Sequence, residues 1–113
     1  MAVTTYFFDG GNVTAAAVTQ GTAVPANTRR RITAAVVCNS TAVAKTFTAH
    51  VIPSGGTAAA TNMYISARTI APGESYTCPE LVGRGMNASG FLQVLADVTG
   101  MTFKYEAIDI TNG

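Results

Sequence analysis

The stretch Arg30-Arg31-Ile32-Thr33-Ala34-Ala35-Val36-Val37-Cys38-Asn39 decides the fold class. It contains no glycine or proline, it is rich in residues that favour extended backbone, and its side chains divide between two faces with a period of two. We expect a strand with one face in the core, which carries Ile32, Ala34, Val36 and Cys38. The opposite face would carry Arg31, Thr33 and Asn39.

The same period of two extends over most of the chain. In residues 46–51 it places Phe47, Ala49 and Val51 on a core face, and Thr46, Thr48 and His50 on the other face. Further strands are predicted at residues 3–8, 13–20, 63–70, 75–82, 91–98 and 101–110, which gives about eight strands. The helical candidate, residues 14–18, is too short to be stable alone.

Two glycine-containing segments predict reversals between neighbouring strands. Asp9-Gly10-Gly11-Asn12 suits a tight turn with positive φ, after which residues 13–20 would return beside residues 3–8. Ala71-Pro72-Gly73-Glu74 places proline and glycine at the centres of a type II turn, with positive φ at Gly73. We therefore expect residues 63–70 and 75–82 to form a hairpin.

Short strands without crossover helices predict an all-β fold, an antiparallel β-sandwich that is either jelly-roll-like or immunoglobulin-like. The chain has no tryptophan, which argues against a true immunoglobulin domain. Its 113 residues fit one domain, residues 1–113, with residues 1–24 as an N-terminal arm or strand region.

The charge content excludes several classes of partner. Only 12% of the residues are charged and the net charge is +1, so no long-range field gathers nucleic acid or an anionic membrane. No apolar run reaches the length of about 20 residues that a bilayer needs, and the first residues do not resemble a signal peptide. A near-neutral surface favours association, so we expect a homo-oligomer.

Catalytic and metal-binding patterns are weak in this sequence. The one histidine, His50, is expected to be an exposed or hydrogen-bonded surface residue. The carboxylates are scattered singly, so we expect no enzyme, no cofactor and no metal site. Cys38 and Cys78 are expected to be buried thiols, with a bridge between them as the less favoured alternative.

Two short segments are candidates for contact with a partner. Tyr6, Phe7 and Phe8 would point to opposite faces of one strand, so at least one ring must be covered by a second layer or by another chain. Arg29, Arg30 and Arg31 form the only run of charges and could clamp acidic or phosphate groups on a partner, although alternation sends Arg30 and Arg31 to opposite faces.

Three motifs carry a resemblance to a known group of proteins. Asn39-Ser40-Thr41 is followed by Val51-Ile52-Pro53-Ser54-Gly55-Gly56-Thr57 and by Ile70-Ala71-Pro72-Gly73-Glu74-Ser75-Tyr76, and residues 103–110 form a closing strand. In these features the chain resembles small β-sandwich virion proteins of tailed bacteriophages. The resemblance covers residues 31–110 and leaves residues 1–24 outside.

The resemblance implies a structural role and transfers no catalytic residues. It implies a capsid decoration or cement protein that contacts the major capsid protein or other virion proteins, assembled in the host bacterial cytoplasm and located in the virion. A tail, head-tail adaptor or fibre-base protein is the alternative within the same class. A carbohydrate-binding attachment module is the alternative from another class, and we expect it to display an exposed aromatic platform.

Overall fold

The computed structural model describes residues 2–112, so Met1 and Gly113, the ends of the expected domain, lie outside the described residues. Nine strands and one 3-10 turn, Ala60–Asn62, account for its regular structure. The strands are β1 (Ala2–Val13), β2 (Val18–Gln20), β3 (Thr28–Asn39), β4 (Lys45–Ile52), β5 (Met63–Ile70), β6 (Ser75–Tyr76), β7 (Gly85–Met86), β8 (Phe91–Ala96) and β9 (Met101–Thr111).

The strands form two antiparallel sheets that pack face to face. The five-stranded sheet has the order β1-β9-β3-β6, with β7 also paired to β3, and the four-stranded sheet has the order β2-β8-β4-β5. Within the described chain, β4 and β5 are the only consecutive strands that pair with each other. Apart from β6 and β7, which both pair with β3, every other two consecutive strands lie in different sheets, which is the jelly-roll arrangement rather than the immunoglobulin-like one.

The core lies between the sheets and is built from the inward face of each strand. β9 supplies Met101, Phe103, Tyr105 and Ala107, all buried, and the ring of Phe103 stacks 5.8 Å from that of Phe47 on β4. The strict alternation of buried and exposed residues along β9 confirms that the period of two was the correct signal here.

The predicted hairpin after β5 is wrong, although its turn is confirmed. Gly73 has a φ of 73° and the Glu74 N–H donates to the Ala71 carbonyl at 3.0 Å, as a type II turn requires. The turn, however, leads from β5 in one sheet to β6 in the other. After Tyr76 the chain leaves the sheet, and it buries Cys78 and Leu81 in the core.

The predicted reversal at Asp9-Gly10-Gly11-Asn12 is also wrong, because β1 continues through it to Val13. The register with β9 shifts between Phe8 and Gly11, which is a β-bulge. Gly11 is needed for close packing, since a Cβ there would collide with Gln20 Oε1 and lie 2.7 Å from Phe8 Cζ. Beyond Val13, only residues 18–20 of the expected return strand form a strand, and they belong to the other sheet.

A second bulge changes the predicted faces of β3. The register with β9 shifts between Ile32 and Ala34, so the extra residue moves the following side chains to the opposite face. Ile32 is buried as expected, but Ala34 is exposed, and the core positions beyond the bulge are Ala35 and Val37. Val36 and Cys38, which were expected in the core, are only half-buried.

Candidate functional site

The six predicted contact residues lie on two faces of the five-stranded sheet. Phe7, Arg29 and Arg31 lie on the face turned away from the four-stranded sheet, which we call the outer face, and all three are exposed. Tyr6, Phe8 and Arg30 lie on the inner face, where Tyr6 and Phe8 are half-buried and Arg30 is buried. The expected alternation within both segments is therefore observed.

Arg30 forms an ion pair inside the sandwich. Its side chain is 1% exposed, and its Nε and Nη2 donate to the two carboxylate oxygens of Asp109 at 2.7 and 3.0 Å. Nη1 donates to the Thr22 carbonyl at 2.8 Å and lies 3.4 Å from the Tyr105 hydroxyl. This bidentate geometry engages the guanidinium within the chain, so Arg29 and Arg31 are the members of the arginine run that face solvent.

Tyr6 covers the buried ion pair from β1. The guanidinium carbon of Arg30 lies 3.7 Å from the centre of the Tyr6 ring, a cation–π contact, and the Tyr6 hydroxyl accepts the Thr22 N–H at 2.8 Å. β1, β3, β9 and the loop before β3 are therefore tied together at one end of the sandwich.

The ionisation of this cluster follows from its burial and its hydrogen bonds. Burial lowers the pKa of Arg30, but the hydrogen bonds and electrostatic interactions with Asp109 and Tyr105 together outweigh it, so the pKa is raised and the guanidinium stays charged. Burial raises the pKa of Tyr105 to about 12, against the opposing charge of Arg30. The cluster holds one fixed ion pair and a neutral phenol, an arrangement suited to stabilising a fold rather than moving protons.

Sequence reasoning missed the partner of Arg30, although a signal for it exists. Asp109 continues the series of core-facing residues that runs through Tyr105 and Ala107, and in the observed register it lies directly opposite Arg30. A carboxylate at a core-facing position of a strand requires a buried cation, since an unpaired buried charge is costly.

The outer face is a weakly charged surface with several exposed apolar side chains. Three adjacent rows across β1, β9 and β3 each combine apolar side chains with polar or charged ones. The rows are Val3, Ile110 and Arg29; Thr5, Ile108 and Arg31; and Phe7, Glu106 and Ala34. Val3 and Phe7 are 60% and 58% exposed, and they lie on the same face of one strand beside Ile108 and Ile110, so the apolar side chains form a contiguous patch.

A groove of about 650 Å³ lies beside these rows, between β3, β9 and the loop that follows β6. It is lined mainly by apolar side chains, among them Ala34, Val36, Pro79 and Val82, with Lys104 and Glu106 at its rim on β9. The bulge in β3 contributes to this shape because it turns both Thr33 and Ala34 outward.

His50 lies near a second, more polar cleft of about 540 Å³, but it is not the surface residue that we expected. It is 4% exposed, and its Nδ1 lies 2.9 Å from Asn62 Oδ1 and 3.2 Å from the Ala59 carbonyl. Since both are acceptors, Nδ1 carries the proton and donates to them. The Asn62 amide in turn donates to the Thr57 carbonyl, so the histidine fixes the loop before β5.

The two cysteines are free and differ in environment. Cys78 is buried in the core, where burial raises the pKa of its thiol to about 12. Cys38 lies on the outer side of β3 and is only half-buried, so the expectation of two buried thiols is confirmed for Cys78 alone.

Among residues 2–112, no group of three or more histidine, cysteine or acidic side chains is arranged to hold a metal ion. No helix in the described part of the chain is long and apolar enough to cross a membrane.

Comparisons with known proteins identify a similar fold but no family. No protein-family model and no curated protein matches the chain. Among solved structures, a chain from the Bacillus endospore appendages, which form disulfide-linked pili, is similar over 99% of this chain and 88% of its own length. Its TM-score is 0.53 at 13% identity, so the likeness concerns the fold alone.

A chain from infectious bursal disease virus, Gx strain, is similar over 99% of this chain but only 33% of its own length. Its TM-score of 0.45 at 15% identity is too low to support an argument about this protein.

Proposed function

We propose that this protein is a structural subunit of a bacteriophage virion, and that it decorates or cements the capsid shell through contacts between subunits. The observation that carries this proposal is the outer face of the five-stranded sheet. It combines exposed Val3 and Phe7 with an apolar groove, in a chain with a net charge of +1. Exposed apolar surface of this kind is typical of protein–protein contact sites.

The buried polar groups favour a scaffold over an enzyme. Arg30 and Asp109 neutralise each other, and His50 uses its Nδ1 proton to hold the loop before β5. Each of these side chains is engaged in tying strands or loops together. A catalytic base needs instead a free, accessible lone pair beside a nucleophile.

Fold similarity is consistent with a role in assembly but does not specify one. The Bacillus appendage chain belongs to pili, so this fold occurs in a protein that forms a polymer. The placement in a tailed phage rests on the turn motifs Pro53-Ser54-Gly55-Gly56-Thr57 and Ala71-Pro72-Gly73-Glu74. The major capsid protein is the partner that these motifs favour.

The proposal is tested by the copy number of the chain in purified particles. A cement protein approaches the copy number of the major shell protein, whereas a tail or head-tail component is present in a few to dozens of copies. Quantitative mass spectrometry of intact particles measures this ratio. Absence of the chain from purified particles would overturn the virion role, and a low ratio would place it in the tail.

A binding experiment tests the surface itself. Purified chain is added to particles that lack it, and bound chain is measured after sedimentation. Phe7→Ala is expected to weaken attachment, because it removes the most exposed ring of the outer face. Val98→Ala, which trims an exposed apolar residue in the turn before β9, is the matched control and should bind normally. Equal binding by both variants would exclude the outer face at Phe7 as the contact.

A further inference from the structure

β1 forms an edge of the five-stranded sheet, so one side of it has no neighbouring strand within the described chain. Its first part pairs with β9 in an unbroken register, from Ala2 opposite Thr111 to Phe8 opposite Tyr105. These seven residues present an extended, regular edge whose outward backbone groups can pair with a further strand.

The other edges of the sandwich are short or irregular. β6 and β7 have two residues each and β2 has three. β5 is longer, but its register with β4 shifts twice, and Ala67 has a φ of 46°. Arg68 on β5 also folds across the edge, with its guanidinium 4.1 Å from the Tyr76 ring centre. Such features prevent strand addition, so β1 is the edge left open to it.

The side chains of this edge are uncharged, and two of the three on the outer face are large and apolar. Residues 2–8 contain no aspartate, glutamate, lysine or arginine. Val3, Thr5 and Phe7 follow one another on the outer face, and the two large residues are 60% and 58% exposed. An edge without charges has no device that repels a second copy of itself.

We propose that β1 pairs antiparallel with β1 of a second copy of this chain, about a two-fold axis that passes beside Thr5. This inference rests on the proposed assembly role and names one of its partners. In this register Val3 lies opposite Phe7 of the second copy, Phe7 lies opposite Val3 of the second copy, and Thr5 faces Thr5. The interface is isologous, with the same surface contributed by both copies.

The register is selected by the side chains. A shift by one residue would place inner-face side chains opposite outer-face ones, which the pleat forbids. A shift by two toward the bulge would place Thr5 opposite Phe7 and Val3 opposite Asp9, so no two large apolar residues would face each other. The Thr5-centred register instead gives two symmetric pairs of large apolar residues, the kind of cross-strand pair that stabilises sheets.

The two-fold axis is perpendicular to the sheet, so both outer faces lie on the same side of the dimer. The two five-stranded sheets become one continuous sheet, and the two apolar grooves open in the same direction. Such a dimer can bind one surface through two equivalent sites, which raises its avidity without any new contact.

Charged substitutions at positions 3 and 7, which face each other across the proposed interface, test the register. Sedimentation equilibrium of the full chain measures the dissociation constant of the dimer. In Val3→Lys/Phe7→Lys, like charges face each other twice, and we expect the constant to rise about tenfold or more. In Val3→Lys/Phe7→Glu, opposite charges face each other, and we expect a constant within about threefold of the unmodified chain. Val43→Lys/Val98→Lys changes two exposed valines elsewhere and should have no effect.

A crosslink provides a second measurement that does not depend on affinity. In a Cys38→Ser background, Thr5→Cys should form a disulfide between two copies under mild oxidation, because directly opposed Cα atoms of an antiparallel pair are about 4.5–5.5 Å apart, a distance that a disulfide spans. Thr102→Cys, exposed on β9 away from the edge, should remain monomeric under the same conditions.

The outcomes separate this inference from the virion role. A chain that stays monomeric at all concentrations and does not crosslink through position 5 overturns the β1 pairing, even if it still attaches to particles. Equal dimerisation by the two double variants at positions 3 and 7 overturns the register. A dimer that crosslinks through position 5 but is absent from particles supports the pairing and overturns the virion role.

Discussion

Arg30 and Asp109 form the one ion pair between side chains in the described part of the chain, and both occupy core-facing positions, where the side chain of Arg30 is 1% exposed and that of Asp109 is 12% exposed. Asp109→Ala would leave the guanidinium buried without its counter-charge. We expect this change to reduce the free energy of unfolding by about 3 kcal/mol or more, measured by urea denaturation.

A matched double variant distinguishes the loss of the ion pair from the cost of leaving one buried charge without a partner. Arg30→Met/Asp109→Leu replaces both partners by apolar side chains of similar size, and it should recover most of the lost stability. If the double variant is as unstable as Asp109→Ala, the hydrogen bonds to Thr22 and the stacking on Tyr6 carry the stability instead.

A substitution at Gly73 tests the backbone conformation of the turn without changing a packing contact. Its φ is 73° and a Cβ there would meet no atom within 4 Å, so Gly73→Val introduces only the strain of a left-handed backbone. We expect a loss of roughly 1 kcal/mol or more in thermal denaturation. Gly85→Ala is the control, because that glycine lies in β7 at an ordinary φ with room for a methyl group. Equal stability of the Val variant and the unmodified chain would contradict the turn assignment.

The thiol of Cys78 should be inert in the folded chain. Burial raises its pKa to about 12 from an ordinary 9.0, so little thiolate is present at pH 8 and the sulfur is inaccessible. A thiol reagent at pH 8 should therefore label Cys38 first and Cys78 only after unfolding, with Cys38→Ser as the control. Rapid labelling of Cys78 in the native state would contradict this expectation.

The same raised pKa predicts loss of stability in alkali. Below pH 9 the Cys78 thiol is protonated in both the folded and unfolded chains, and its contribution is complete. Between pH 9 and 12 the unfolded chain loses the proton first, which favours unfolding.

At the scale of elements, the bounds of some strands were predictable, whereas the faces of the bulged strand β3 were not. The predicted residues 63–70 coincide with β5, and β9 differs from its prediction by one residue at its end. A bulge depends on the partner strand, because the extra residue at Thr33 exists only relative to β9. The sequence of β3 alone gives no sign of it, so the core faces beyond Ile32 were assigned incorrectly.

Side chains of β1 alternate between the two faces of the sheet, so substitutions at neighbouring positions should differ in how much they reduce the stability of the monomer. Phe7→Ala should change the stability of the monomer by no more than about 0.5 kcal/mol, because the ring is 58% exposed. Phe8→Ala should cost about 2 kcal/mol, since its half-buried ring packs 5.8 Å from that of Tyr105. Chemical denaturation below the dimer concentration range measures both, and equal losses would show that Phe7 is covered within the monomer.

At the scale of the whole molecule, the path of the chain between the two sheets could not be predicted. A strand with one buried face has the same pattern in either sheet, so a turn such as Ala71-Pro72-Gly73-Glu74 fits a hairpin and a crossover equally well. The choice is made by long-range pairing, in which β9 lies between β1 and β3 and joins residues from both ends of the chain. The Arg30–Asp109 pair was missed for the same reason.

The low charge of the whole molecule predicts that its association is insensitive to salt. The net charge is +1, and residues 2–8 at the proposed interface carry no charged side chain. Screening lengths fall from about 10 Å at 0.1 M salt to about 3 Å at 1 M, which weakens contacts between exposed charges and leaves apolar contacts intact. We expect the dissociation constants for dimerisation and for particle attachment to change less than about threefold between 0.1 and 1 M sodium chloride.

Ammonium sulfate should strengthen both dimerisation and attachment, because excluded salts favour burial of apolar surface. Titrations at a series of salt concentrations measure these constants, with Arg29→Ala/Arg31→Ala as the comparison. A loss of attachment of about tenfold or more at high salt, matched by the same loss in that arginine variant, would instead assign the contact to the exposed arginines of β3.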